Sequence, residues 1–390
     1  MTIDRLTPFE LMEKLVSFPT VSRDSNLDLV DWVEDYLKSH GITSYRKYDE
    51  TGEKAALVAH VGPEIDGGLI LSGHTDVVPV DGQPWDSDPW SVVEKEGRYF
   101  GRGVCDMKGF DALAIWALVE ARYRELERPL QLALSFDEEV GCIGAPLMLD
   151  EMEQVLPKAS AVIVGEPSMM KAVTAHKGGL GYQTHVVGFE VHSSLPHTGV
   201  SAIMEGAKII NWANQVNAEN ARKKPTEIAA MFDPPYTTAH VGVIKGGTAA
   251  NITAKDCHFF VDFRVVADEN PQMWLAKLEE KIAEVQSEMQ SVRPETHITI
   301  SERFFNPGLR PETDGEAEAL VRGITGDNAE HVVSYGTEAG QFQERGYSAV
   351  ICGPGDIAQA HQPNEYIEIS QFNAGHDFME RLLKQLEGHA

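Results

Sequence analysis

Basic residues are scarce in this chain: Lys and Arg total 33 against 60 Asp and Glu, a formal net charge of −27 at pH 7. A surface so acidic repels phosphate backbones and anionic lipid headgroups, which argues against nucleic-acid and peripheral-membrane binding. Cysteine is sparse as well. Cys105, Cys142, Cys257 and Cys352 lie far apart with no Cys-x-x-Cys, a pattern that suits neither a disulfide framework nor a zinc knuckle. There is no apolar run of the roughly 18 residues a membrane span needs. The opening stretch MTIDRLTPFELMEKL lacks the uninterrupted apolar core of a secretion signal. A reduced, soluble, cytoplasmic protein is the expectation.

What is present is ordinary globular composition, 42% apolar and 24% charged, over 390 residues, enough for two domains. Helical apolar spacing occurs at 8–17 and 25–40, the second with Asp24 or Ser25 as its expected N-cap. Short apolar runs follow at 56–61, 68–73, 131–136, 161–165 and 349–353, with a helical stretch at 110–125 among them. Apolar strands separated by helices predict an α/β fold with a mostly parallel sheet sandwiched by helices. The middle of the chain reads strand 180–189, helix 201–217, strands 238–246 and 256–266, helix 271–290, strand 296–302. That β-α-β-β-α-β order is the ferredoxin-like α+β arrangement. The expected organisation is a larger α/β domain of residues 1–177 and 304–390, with residues 178–303 inserted in it; AHKGGLG at 175–181 reads as a hinge.

The chemistry-bearing residues follow the apolar strands. LILSG runs into His74-Thr75-Asp76, LALSF into Asp137-Glu138-Glu139, AVIVG into Glu166, and AVICGPG leads to His361. Ligands of open α/β sheets bind beyond the carboxyl ends of the strands. Each such residue alone is more often a turn or cap residue. Together they have the composition of a site for zinc, cobalt or manganese, imidazole and carboxylate without thiolate. Asp76 is close enough in sequence to hold the His74 ring. Glu138 and Glu139 leave a strand on different sides, so one can ligate while the other works on water. Asp106 lies in the Gly-rich turn GRGVCDMKG at 101–109, before a helix.

LSGHTDVVP (71–79), GRGVCDMKG (101–109), FDEEVG (136–141), VGEP (164–167) and GPGDIAQAHQPNEY (353–366) together resemble, in order, the signature blocks of the co-catalytic zinc aminoacylase, desuccinylase and carboxypeptidase metallopeptidase family. The resemblance implies two zinc ions, for which cobalt substitutes, bridged by Asp106. It assigns His74 and Glu166 to one ion and Glu139 and His361 to the other. Asp76 is then the residue that orients His74, and Glu138 the general acid/base. It further implies that the inserted domain is a lid and a homodimerisation module. There His192 donates to the oxyanion, in cis or from the partner subunit, while Asn251 and Arg264 bind the substrate carboxylate. The plainer alternatives are a turn histidine held by Ser193 or Ser194, and an arginine paired with a surface acid. Glu338 in YGTEAG (335–340) is open between meeting a substrate amine and supporting the site from behind. His176, His197 and Cys105 read as loop, loop and packed side chain. The activity implied is amide hydrolysis of a small N-acyl amino acid, with N2-acetyl-L-ornithine as the first expected substrate, for arginine biosynthesis. N-succinyl-LL-diaminopimelate or a broader range of N-acyl amino acids comes next, and a non-catalytic metal-binding homologue is the remote alternative.

Overall fold

The protein is described from a computed structural model covering residues 5–388; residues 1–4 and 389–390, the ends of the expected catalytic domain, lie outside the described residues. The first helix, Pro8–Val16, starts where its chemistry says it should. Thr7 and Glu10 form a reciprocal capping box, and Leu11, Met12, Leu15 and Val16 bury one face. The second helix is Leu27–Ser39, with Asn26 rather than Asp24 or Ser25 at its N-cap. Asn26 does not cap the helix through its side chain. Its amide pairs with both backbone groups of Ala55, at 2.8 and 2.9 Å, and so ties the helix start to the neighbouring strand.

One sheet has eight strands, in the order Ser44–Tyr48, Ala55–Val61, Leu130–Ser135, Gly68–His74, Ala159–Pro167, Ser348–Gly353, Val173–His176, His331–Val333. Its middle four, from Leu130–Ser135 to Ser348–Gly353, are mutually parallel. Ala55–Val61 and Ser44–Tyr48 extend it antiparallel on one side. The central strands are buried on both faces, which is why they read as unbroken apolar runs. Helix Lys108–Ala121 is buried along almost its whole length against this sheet. The parallel strands end level: His74 is the register partner of Ser135.

The chain forms two compact units, Met1–Ala175 with Leu309–Val332 and Thr337–Ala390, and His176–Gly308 with Val333–Gly336. The smaller unit has its long strand Gly178–Val187 between Asp256–Val265 and His297–Asn306, all antiparallel. Helices Ala202–Asn220 and Pro271–Val292 supply Ile209, Val216, Trp274 and Leu278 to its core. Along Asp256–Val265 burial alternates strictly, with Cys257, Phe259, Val261, Phe263 and Val265 inward. Truncating Phe263 to Ala would cost about 3–5 kcal/mol. The expected strand 238–246 is two short strands, Thr238–His240 and Ile244–Gly246. Both pair with Asp256–Val265, but three residues lie between His240 and Ile244 while only two lie between their partners Asp262 and Phe259. The extra residue breaks the ladder as a bulge does.

The expected hinge is not a loop. His176 ends a strand and is fully buried, and Gly178 begins the next. A Cβ on Gly178 would stand 2.8 Å from both Asn306 O and Gly308 N, and one on Gly308 would stand 2.9 Å from His176 O. The two ends of the small unit therefore touch backbone to backbone, which only glycine permits. Gly181 meets a different need, since a Cβ there would stand 2.4 Å from Phe304 and 2.5 Å from Phe260.

Candidate metal and catalytic site

In the larger unit, four separate segments deliver imidazoles and carboxylates to the carboxyl edge of the parallel strands. His74, the last residue of its strand, is 1% exposed. Its Nδ1 lies 2.9 Å from the backbone oxygen of Asp76, an acceptor, so Nδ1 carries the donated proton. Nε2 then faces Asp106 Oδ1 at 3.1 Å and Glu166 Oε1 at 3.8 Å. The Asp76 carboxylate is a little farther from the ring, at 3.5 Å. It accepts instead from Ser22 Oγ at 2.6 Å and from the backbone N–H groups of Glu138 and Glu139 at 3.1 and 3.3 Å. The expectation that the carboxylate orients the ring thus becomes a division of labour. The backbone holds the ring, and the carboxylate holds the Glu138–Glu139 turn beside it.

Asp106 stands between two imidazoles. Oδ1 is 3.1 Å from His74 Nε2 and Oδ2 is 3.1 Å from His361 Nε2. His361 Nε2 is also 3.0 Å from Glu139 Oε2. Glu139 Oε1 is buried with no hydrogen-bond partner among the described residues. One donor atom each from His74, Glu138 and Glu166 lies within 4.8 Å of the others, and the same holds for His74, Asp106 and Glu139. His361 is held in a left-handed backbone conformation, φ 62°.

The electrostatics follow from crowding carboxylates around two imidazoles. Burial pushes the Glu139 carboxyl up to about 8, helped by the Asp106 charge. Burial, then Asp106 and Glu138, drives Glu166 well above the usual carboxylate range. Burial also brings Glu138 up to about 7, with His74 opposing and Asp106 and Asp76 assisting; the Cys142 thiol donates to Glu138 Oε1 at 3.3 Å. Burial works against the charge on His74, but Asp106 and Asp76 outweigh it and hold this imidazole well above its ordinary value. Hydrogen bonds to Asp106 and Glu139 raise His361 to about 10. Burial opposes ionisation of Asp106, yet the His361 and His74 contacts keep it well below the carboxylate norm. Buried like charges of this kind need a cation, and a buried carboxylate oxygen left without a hydrogen bond, on a residue clustered with His74 and Asp106, suits a divalent metal ligand. The residues present fit divalent metal binding.

Two residues that composition and spacing did not single out position this centre. Glu365 Oε1 accepts three backbone N–H groups, from Gly103, Cys105 and Asp106, at 3.0, 3.0 and 3.1 Å. Its Oε2 takes Arg102 Nη1 at 2.6 Å, both side chains 1% exposed. This buried pair shapes the turn that carries Asp106. Its only trace in the sequence is an acid four residues after His361. Glu338 is buried and accepts from Ser135 Oγ, with its carboxyl raised to about 8 by burial. Cys105 is buried and donates to the Asp356 backbone at 3.4 Å.

In the small unit, His192 is exposed and its Nδ1 lies 2.8 Å from Ser194 Oγ, the local turn contact weighed as its plainer alternative. Asn251 sits beside it, its backbone oxygen accepting from Ser193 N at 2.9 Å, with His192 bridged to Ile252. Arg264 is near the far end of strand Asp256–Val265 and pairs with Asp262 at 3.2 Å. The small unit alone gathers His192 and Asn251, but not Arg264.

Sequence comparison finds that residues 70–385 match Peptidase family M20/M25/M40. An acetylornithine deacetylase of Myxococcus xanthus is 35% identical over 363 residues, 92% of each chain. One from Pasteurella multocida (strain Pm70) is 30% identical, over 96% of this chain and 97% of that one. Among solved structures, an M20 family metallo-carboxypeptidase from Sulfolobus solfataricus superposes with a TM-score of 0.79 at 18% identity, covering 99% of both chains. A dinuclear metal-binding M20 peptidase of Bacillus subtilis superposes with a TM-score of 0.66 at 12% identity, over 97% of this chain and 98% of that one.

Proposed function

The chain belongs to peptidase family M20/M25/M40, and from that premise we propose that it hydrolyses the amide of N2-acetyl-L-ornithine, giving L-ornithine and acetate for arginine biosynthesis. The observation that carries the reading is Asp106, whose two carboxylate oxygens each stand 3.1 Å from a different imidazole. A carboxylate so placed suits a bridge between two ions, one with His74 and Glu166, the other with Glu139 and His361. Zinc is the proposed metal, with cobalt able to replace it. Bound there, divalent ions supply Lewis acidity and lower the pKa of a coordinated water.

The protein's own part is proton handling and positioning. Glu138, raised to about 7, is suited to take a proton from the attacking water and return it to the leaving amine near neutral pH. Asp76 fixes the backbone of Glu138 and Glu139. His192 is proposed as a donor to the oxyanion, and Asn251 and Arg264 as the carboxylate-binding pair. The small unit is proposed as lid and homodimerisation module, and the protein as cytoplasmic; among the described residues no helix is long and apolar enough to cross a membrane.

The test is hydrolysis of N2-acetyl-L-ornithine beside N-succinyl-LL-diaminopimelate, by protein stripped of metal and reloaded with zinc or cobalt. Metal-dependent release of acetate, lost in Glu138→Gln, supports the proposal. Preference for the succinylated substrate keeps the chemistry and moves the substrate. Inactivity toward both with metal bound overturns the assignment.

A further inference from the structure

The outer face of the small unit's sheet carries a second group of ligand-type side chains, sharing no residue with the centre above. We propose that His185, His258 and Asp256 form a surface site for a divalent transition-metal ion of the zinc and copper class. His258 is the register partner of His185 on adjacent antiparallel strands, so both imidazoles leave the same face directly opposite one another. Their rings stack with centroids 3.9 Å apart and planes 14° from parallel. Asp256, two residues before His258, shares that face, and its Oδ1 lies 2.8 Å from His185 Nε2. One donor atom from each of the three residues lies within 4.8 Å of the other two.

A tetrahedral zinc ion with bonds near 2.1 Å holds its ligand atoms about 3.4 Å apart. The side chains of His185 and Asp256 are 32% and 50% exposed, so small rotations can bring donors that now lie between 2.8 and 4.8 Å apart to that spacing without disturbing the core. The backbone beneath them is a ladder of ten paired residues, which holds the donors in place before an ion arrives. Two imidazoles and a carboxylate suit zinc, copper and nickel far better than calcium or magnesium, and a water completes the set. As a bare surface pair, Asp256 and His185 would contribute little to stability. Lys245, the register partner of His258 on its other side, is the nearby cation that limits affinity. The ion would clip strand Gly178–Val187 to strand Asp256–Val265.

The test uses the full chain with its buried centre already loaded, dialysed against micromolar free Zn2+. Wild-type protein is expected to take up one more ion per chain than either His258→Asn or His185→Asn, while hydrolysis by all three stays equal. Lys245→Gln is expected to tighten that uptake. With Cu2+ as the probe, the spin-resonance spectrum should show two nitrogen ligands in wild type and one in His258→Asn. Equal zinc uptake by wild type and both variants, or a copper spectrum unchanged by His258→Asn, overturns the proposal.

Discussion

The carboxylate of Asp76 accepts the backbone N–H of Glu138 at 3.1 Å, while the backbone oxygen of the same residue holds the ring of His74. One aspartate thus couples the orientation of a proposed ligand to that of the proposed base. Asp76→Asn keeps the shape but turns one acceptor into a donor facing N–H groups. The expected result is a ten- to hundredfold loss in kcat with weakened zinc retention. Steady-state kinetics beside metal analysis of dialysed protein checks it; unchanged kinetics would remove Asp76 from the positioning role.

Glu138 and Glu139 should separate cleanly. Glu138→Gln is expected to lose a factor of about 10²–10⁴ in kcat with its metal content intact. Glu139→Gln, which replaces a carboxyl oxygen 3.0 Å from His361 with a group that cannot ionise on metal binding, should lose metal along with activity. Elemental analysis of the two variants distinguishes base from ligand.

Removing Glu365 from its buried pair with Arg102 leaves both an uncompensated guanidinium and three N–H groups without their acceptor. Glu365→Ala is expected to cost about 3–5 kcal/mol of stability and to lower metal affinity through the Asp106 turn. Denaturant unfolding and zinc titration measure the two effects separately.

Metal binding should release protons at pH 7. Glu139 and Glu166 have carboxyls raised by burial and neighbouring charge, so the metal-free protein holds protons there that ligation displaces. A folded-state pKa raised above the unfolded value adds stability at low pH that is lost as pH rises through it, about 8 for Glu139. Metal-free protein should therefore weaken from mildly acidic pH toward pH 8, and metal should reverse the trend. Binding heats compared in buffers of different ionisation enthalpy count the protons; equal heats would refute the release.

Acid should loosen the small unit through His176. Burial lowers its imidazole from 6.5 to about 4, with its Nδ1–H donating to Lys177 O at 2.8 Å. A depressed folded-state pKa gives stability present above the unfolded value and lost as pH falls toward the folded one. The window is pH 6.5 to 4, and the loss reaches about 3 kcal/mol. His176→Gln should flatten that limb of the stability curve, read from urea midpoints across the window.

The positions that gather in the larger unit were legible because strand and loop are adjacent in sequence. His74 and Glu166 end or nearly end apolar runs, and parallel strands end on one edge. What supports them was not legible. The Arg102–Glu365 pair joins residues 263 apart, and no local pattern announces a partner at that distance. The stack of His185 on His258 depends on strand register, which a shift of one residue would abolish. The hinge expected around His176 differs for a related reason. Glycines that read as flexibility are there for clearance, Gly178 against Gly308 and Gly181 against two phenylalanines.

The contact between Gly178 and Gly308 has a consequence for the gene as well as for the fold. A segment of some 130 residues that starts and finishes at one spot is a cassette, because a short splice can close the chain where it was removed. The two glycines are the seam. Excision between residues 176 and 308 with a brief bridge should yield a larger unit that still folds and retains metal, and grafting the cassette elsewhere should require only two neighbouring ends.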